Sequence, residues 1–277
     1  MTTTETTVSI RVDGTPVDVP EGATILDACR AAGVETPTIC YADNLTPVNV
    51  CRVCVVELEG SRTLVPSCSR PAEDSMVVET DSERVRHSRK MVLEFLGSGV
   101  DLSQAPDLAR WSEQYGADPD RYGDAVARID EEVRVQDDLY IRDYDKCVLC
   151  YKCVEACGDD AQQTFAISVA GRGFDARIST EFDVALPDSA CVYCGNCVAV
   201  CPTHALQFKT EFDLRTAGEW RPDEQTVTRT VCSYCGVGCN LDLHVQDNQI
   251  VKCTSPDDHS VTSGNLCIKG RFGWQYV

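Results

Sequence analysis

The stretch Cys147-Val148-Leu149-Cys150-Tyr151-Lys152-Cys153-Val154-Glu155-Ala156-Cys157 returns further along as Cys191-Val192-Tyr193-Cys194-Gly195-Asn196-Cys197-Val198-Ala199-Val200-Cys201, there followed by Pro202. Both runs read C-x2-C-x2-C-x3-C. Thiolates two or three residues apart in a tight loop can converge on one soft metal centre. The chain has 18 Cys in 277 residues. Its first residues, Met1 to Ile10, are Thr-rich and lack the basic and apolar regions of an export signal. Cysteine in such a chain reads as metal ligation rather than as disulfides. Zinc and iron–sulfur clusters both use C-x2-C pairs, so spacing alone leaves the two open.

The duplicated run resembles the bacterial two-cluster ferredoxins, in which the fourth Cys of each run serves the other cluster. That resemblance implies one [4Fe–4S] cluster on Cys147, Cys150, Cys153 and Cys201, and a second on Cys191, Cys194, Cys197 and Cys157. Gly195 suits a tight loop with amides aimed at sulfur, and Pro202 breaks the backbone as the chain leaves. The first run has Gly158 where the second has Pro202. His204 reads as an exposed loop residue. Thr164 to Thr180, with Gly171 and Gly173, reads as a hairpin insertion. It lacks the third glycine of a dinucleotide fingerprint.

Towards the N-terminus, residues 8–12 (VSIRV) alternate as a strand, Asp13-Gly14 signals a hairpin, and residues 15–19 return. Thr24 is an N-cap candidate for a helix over residues 25–32, with Gly33 at its end. Cys29 shares the apolar face of Ile25, Ala28 and Ala32, which places it in a core. A strand is expected at residues 53–58. The remaining cysteines of this region, Cys40, Cys51, Cys54 and Cys68, are spaced C-x10-C-x2-C-x13-C. This arrangement resembles the N-terminal β-grasp domain shared by large subunits of respiratory complex I, iron-only hydrogenases and some formate dehydrogenases. The resemblance implies a [2Fe–2S] cluster, with zinc as the rival. Residues 81–96 read as a helix with Val85, Val92 and Leu96 on one face, and residues 97–138 as a linker with one or two short helices. No Cys lies between Cys68 and Cys147. His87 therefore reads as a surface residue rather than as a ligand.

At the other end, Cys232, Cys235 and Cys239 stand in CSYCGVGC, and Cys267 in NLCIKGRFGW. The set resembles the [4Fe–4S] subdomain that opens the catalytic subunit of molybdopterin oxidoreductases. In that family the Lys two positions after the last Cys lies between cluster and pterin, a place Lys269 holds. Residues 241–245 and 249–252 read as strands, and Cys253 as structural. From Val8 to Val277 the chain resembles the formate dehydrogenase alpha subunit, in the form without a histidine-ligated cluster. The expected class is α+β: a [2Fe–2S] β-grasp domain over 1–80, a helical linker segment over 81–138, a two-cluster ferredoxin domain over 139–215 and an incomplete catalytic region over 225–277.

The resemblance implies one [2Fe–2S] and three [4Fe–4S] clusters in an electron-transfer part of the enzyme. A molybdenum or tungsten bis-pterin centre is expected only in a catalytic domain or subunit beyond Val277. The implied electron partner is a flavin-bearing, NAD-reducing subunit or a ferredoxin. The alternative is an electron-transfer subunit of a hydrogenase or NADH dehydrogenase complex. No Ser-His-Asp set, Walker loop or Rossmann fingerprint is present, so no catalytic residue, flavin or NAD is assigned to this chain.

Composition narrows the partners. Lys plus Arg number 25 against 44 Asp plus Glu, a net charge of −19. Such a surface repels phosphate backbones and anionic headgroups, which argues against nucleic acid and membrane surfaces. No apolar run approaches the ~20 residues of a membrane span. A cytoplasmic location is expected. Arg outnumbers Lys 19 to 6, which beside the acidic excess looks like adaptation to salt.

Overall fold

The computed structural model describes residues 6–276. Two compact units make up the chain: one holds the residues up to 41 and 47–128, the other residues 42–46 and 129 onward.

In the first unit, β1 (Thr7–Val12) and β2 (Thr15–Pro20) pair antiparallel. Asp13 and Gly14 between them both have positive φ, 48° and 80°. That left-handed pair matches the twist of the two strands. Helix α1 (Ile25–Ala31) opens with a capping box, in which Thr24 accepts from the Asp27 amide and the Asp27 carboxylate accepts from the Thr24 amide. Strands β3 (Val55–Leu58), β4 (Val65–Pro66) and β5 (Val77–Glu79) complete a sheet of order β2-β1-β5-β3-β4, with β5 parallel to β1. Ile10, Val12, Val56 and Val78 from the sheet meet Ile25, Ala28 and Cys29 of α1 in the core.

Helix α2 (Glu83–Gly99) starts on the Ser82 hydroxyl, which accepts from the Val85 amide and donates to Glu57. Its buried face is Val85, Arg89 and Leu93, whereas Val92 and Leu96 are only half-buried. The apolar period pointed to Val92 and Leu96. The structure turns the helix towards Arg89 because three acceptors wait there, the carbonyls of Val53 and Val55 and the Tyr115 hydroxyl. The segment read as a linker is packed. Helix α3 (Pro106–Tyr115) buries Leu108, Trp111 and Tyr115 and contacts α2. Glu94, fully buried on α2, accepts from Arg121 at 2.9 Å and from the Asp118 amide at 3.3 Å. Burial works to raise its carboxyl pKa, but those two donors and Lys90 hold it below the usual range.

The second unit has β6 (Arg134–Val135), β7 (Tyr140–Arg142), α4 (Lys152–Cys157), β8 (Ser168–Ala170), β9 (Arg177–Ser179), α5 (Asn196–Ala199), β10 (Leu206–Phe208) and α6 (Lys209–Thr216). Strands order as β10-β7-β6, and β8 and β9 form the expected hairpin. Helices α4 and α5 pack together over Tyr140, Tyr144, Val198, Leu206 and Phe208. A second sheet, β11-β12-β13, is built from Thr226–Val231, Asn240–Gln246 and Gln249–Thr254. Helix α7 (Ile268–Phe272) follows, and its Phe272 joins the core under α4 and α5.

Candidate metal centres

Of the four cysteines of the first unit, Cys40, Cys51 and Cys54 sit on the connection from α1 to β3, and Cys68 follows β4. The Cys40 and Cys51 Sγ atoms are 3.3 Å apart, and those of Cys54 and Cys68 are 3.4 Å apart. Cys40, Cys54 and Cys68 are buried and Cys51 is half-buried. Asn49 and Arg52 take left-handed φ of 62° and 59°, which folds the chain tightly about Cys51. The Cys51 amide lies 3.5 Å from Cys40 Sγ. The contact with the Cys51 thiol pulls the Cys40 thiol down against the effect of burial. The same contact, with burial, pushes Cys51 up. Cys68 is raised in the same way, first by its contact with Cys54 and then by burial and the fields of Cys54, Cys40 and Cys51. All four thus share one neighbourhood.

The duplicated runs repeat in backbone as well as in sequence. Leu149 and Tyr193 hold φ of 51° and 56°, and Tyr151 and Gly195 hold φ of 64° and 69°. Each left-handed pair folds the loop tightly ahead of α4 or α5, so that its first two cysteines meet the third, Cys153 or Cys197, at the start of the helix. The fourth cysteine then crosses over. One cavity is lined by Cys147, Cys150, Cys153 and Cys201. Another is lined by Cys157, Cys191, Cys194 and Cys197. Burial pushes Cys153 and Cys197 up, and the thiols of their own sets add to it. Polar donors reach sulfur in both: the Leu206 amide at 3.5 Å from Cys201, the Tyr193 amide at 3.4 Å from Cys191, and the Tyr140 hydroxyl at 3.0 Å from Cys191.

The last set lies beside the β11-β12-β13 sheet. Cys232 donates its amide to the Cys239 carbonyl at 2.8 Å. Burial raises the Cys239 thiol, and Cys232, Cys267 and Cys235 raise it further. Cys235 and Cys267 are exposed. Lys269 stands exposed on α7, which opens directly after Cys267.

Cysteines of each set read from sequence lie near one another, and Cys29 and Cys253, each 0% exposed, lie in cores. Soft thiols arriving from two or three loops, with amides directed at them, fit an iron–sulfur cluster. Among the described residues no three His, Cys, Asp or Glu side chains converge as a site for a single ion. His204 is not the exposed loop residue expected. It is half-buried with Nε2 3.4 Å from Glu211, a buried carboxylate that also accepts from Arg215 and Lys252. His87 is exposed.

Sequence reasoning missed Arg271 and Asn196. Arg271 Nη2 donates to Asn196 Oδ1 at 3.1 Å, and the Leu266 amide donates to the same oxygen at 3.0 Å. Arg271 Nε and Nη1 reach the carbonyls of Cys194 and Cys253, both at 3.4 Å. The guanidinium thus ties the second cysteine run to the last subdomain. Its only sequence signal is its place four residues after Cys267.

Three family descriptions match this chain: a 2Fe-2S iron-sulfur cluster binding domain over residues 5–83, a 4Fe-4S dicluster domain over 146–205, and a molybdopterin oxidoreductase Fe4S4 domain over 225–277. The chain is a mixed α and β assembly of iron–sulfur domains. The NADPH-Fe(3+) oxidoreductase subunit alpha of Geobacter sulfurreducens is 35% identical over 98% of this chain and 31% of its own length. A component of the NADH-quinone oxidoreductase of Rhizobium meliloti is 31% identical over the same shares, 98% and 31%. An NADP-reducing hydrogenase subunit of Solidesulfovibrio fructosivorans is 38% identical over 72% of this chain and 36% of its own. The chain thus spans about a third of these curated relatives. Among solved structures, a chain of an NAD+-reducing [NiFe]-hydrogenase is similar, with TM-score 0.64, 25% identity, and coverage of 73% of this chain and 87% of that one. Among the described residues, no helix is long and apolar enough to cross a membrane.

Proposed function

We propose that this chain is the iron–sulfur electron-transfer part of an oxidoreductase complex. The observation that carries the reading is the grouping of sixteen cysteines into four sets of four, two of them crossed as in two-cluster ferredoxins. Cys40, Cys51, Cys54 and Cys68 would hold a [2Fe–2S] cluster, and the other three sets would each hold a [4Fe–4S]. Such clusters supply one-electron carriers whose potentials are set by hydrogen bonds to sulfur, local charge and exposure. The protein holds the thiols, directs amides and hydroxyls at them, and excludes water.

In this reading electrons enter at the set of Cys232, Cys235, Cys239 and Cys267, pass to the two crossed sets and leave by the first unit. Lys269 is the residue facing the donor side. The molybdopterin-type match at residues 225–277 supports a pterin-bound molybdenum or tungsten centre in a catalytic domain or subunit as donor; formate as its substrate rests on the resemblance to formate dehydrogenase alpha subunits. The nicotinamide-linked names of the more similar relatives support a NAD(P)-reducing partner as acceptor, and equally a hydrogenase or NADH dehydrogenase complex as the setting. The last cysteine set favours the molybdopterin setting over those.

Metal analysis of the anaerobically purified chain tests the reading. The expected content is about 14 irons per chain and no zinc. About 10 irons would show that the last set does not assemble by itself. A colourless, zinc-loaded chain would overturn the electron-transfer reading.

A further inference from the structure

Two guanidinium groups lie inside the second unit without a direct ion pair among the described residues; Asp257 acts on Arg271 only through its field. Arg142 is 1% exposed and Arg271 is 0% exposed. Arg142 donates to Gln136 Oε1 and, at 3.3 Å, to the Tyr144 hydroxyl. Arg271 donates to three backbone carbonyls and to the Asn196 amide oxygen. Every acceptor is neutral, and among the described residues neither arginine forms an ion pair. A buried cation without counter-charge is strongly unfavourable.

Both groups stand around the same four thiols. Arg142 lines the cavity of Cys157, Cys191, Cys194 and Cys197. Arg271 bonds the Cys194 carbonyl and lies in the field of the Cys194 and Cys197 thiols. The buried Tyr140 hydroxyl, 3.0 Å from Cys191 Sγ, adds a donor aimed at sulfur. The twin cavity of Cys147, Cys150, Cys153 and Cys201 has no charged side chain among its lining residues. Tyr144, which lines both cavities, receives a hydrogen bond from Arg142.

We infer that the set of Cys157, Cys191, Cys194 and Cys197 is the more easily reduced of the two crossed sites, with Arg142, Arg271 and Tyr140 as the positioning groups that stabilise its added negative charge. The inference rests on the iron–sulfur reading above. Reduction adds one electron and one negative charge to a thiolate-bound iron centre. Buried cations and an O–H donor favour that more negative state. With clusters bound, exchange between the twins would move one electron from the Cys147 set to the Cys191 set with no bond or proton changing place, and that electron would rest beside Arg271.

The test is an EPR-monitored dithionite titration of the anaerobic, iron-loaded full chain, unmodified and as Tyr140→Phe and Arg271→Gln. A Cys191→Ser chain identifies the signal of this site. In Arg271→Gln that signal should become harder to reduce by roughly tenfold in the oxidised-to-reduced ratio, about 59 mV for one electron. Tyr140→Phe should shift it a smaller amount in the same direction, with the other signals unmoved. An unmoved signal in Tyr140→Phe at full iron content, or equal shifts in both [4Fe–4S] signals, overturns the inference. If Arg271→Gln loads less iron, Tyr140→Phe decides alone, since it keeps the ring stacked on Phe272. An unmodified chain without [4Fe–4S] signals would defeat the iron–sulfur reading instead.

Discussion

Arg89 donates its Nε hydrogen to the carbonyl of Val53, a residue lying between Cys51 and Cys54, at 3.1 Å. One side chain from α2 thereby fixes the loop that carries two thiols of the first set. Its other donors hold the Val55 carbonyl and the Tyr115 hydroxyl, so strand, helix and loop share a single fastening. Arg89→Met should leave three acceptors without a partner and cost about 3 kcal/mol. Urea unfolding measures that loss. The [2Fe–2S] signal should weaken while the [4Fe–4S] signals persist.

Single cysteine replacements test the grouping of thiols. Cys197→Ser should disturb one [4Fe–4S] signal and leave the [2Fe–2S] signal intact. Loss of both would contradict independent sets. Cys29→Ala should keep all the iron and lower stability by about 1 kcal/mol, the effect of a small void in a well-packed core.

Gly195 carries a steric demand as well as a conformational one. Its φ is 69°, and a Cβ there would lie 2.9 Å from Arg271 Cγ and 3.0 Å from the Phe272 ring. Gly195→Ala should cost about 1–3 kcal/mol and reduce the iron held by the Cys191 set. Iron analysis beside thermal unfolding separates the two effects.

Acid should loosen the β11-β12-β13 sheet through His244. Burial, followed by the nearby Lys252, depresses its pKa to about 4. An unfolded histidine takes its proton near 6.5, so between those values the unfolded chain binds more protons than the folded one. Stability is therefore present above pH 6.5 and falls as pH drops towards 4. His244→Gln should shrink the difference in Tm between pH 7 and pH 5. An unchanged difference would exclude His244 as the cause.

The duplicated cysteine runs stood out in the sequence, but which thiols share a site came from the resemblance to two-cluster ferredoxins, because spacing alone does not say where the fourth thiol of each run goes. The β1–β2 hairpin was legible because Asp13-Gly14 tolerates two left-handed residues in succession. The buried face of α2 was not, since Arg89 lies inside it and an apolar period passes over a charged residue. Strand β11 escaped notice for the opposite reason. Every residue from Thr226 to Val231 is exposed, so no inward and outward alternation marks it. His204 and Arg271 were misjudged or missed because their partners, Glu211 and the Cys194 and Cys253 carbonyls, come from other elements of the fold.

The crossing of Cys157 and Cys201 between the twin cavities has a consequence for biosynthesis. When Cys147, Cys150, Cys153 and Cys157 leave the ribosome, neither cavity is complete, because Cys201 must still arrive to close the first and Cys191, Cys194 and Cys197 to build the second. Iron delivered to the nascent chain at that stage meets half-made cradles. The Cys191 set can close before Cys201 emerges to complete the first, and oxidation of either fourth thiol is felt in the neighbouring run's site.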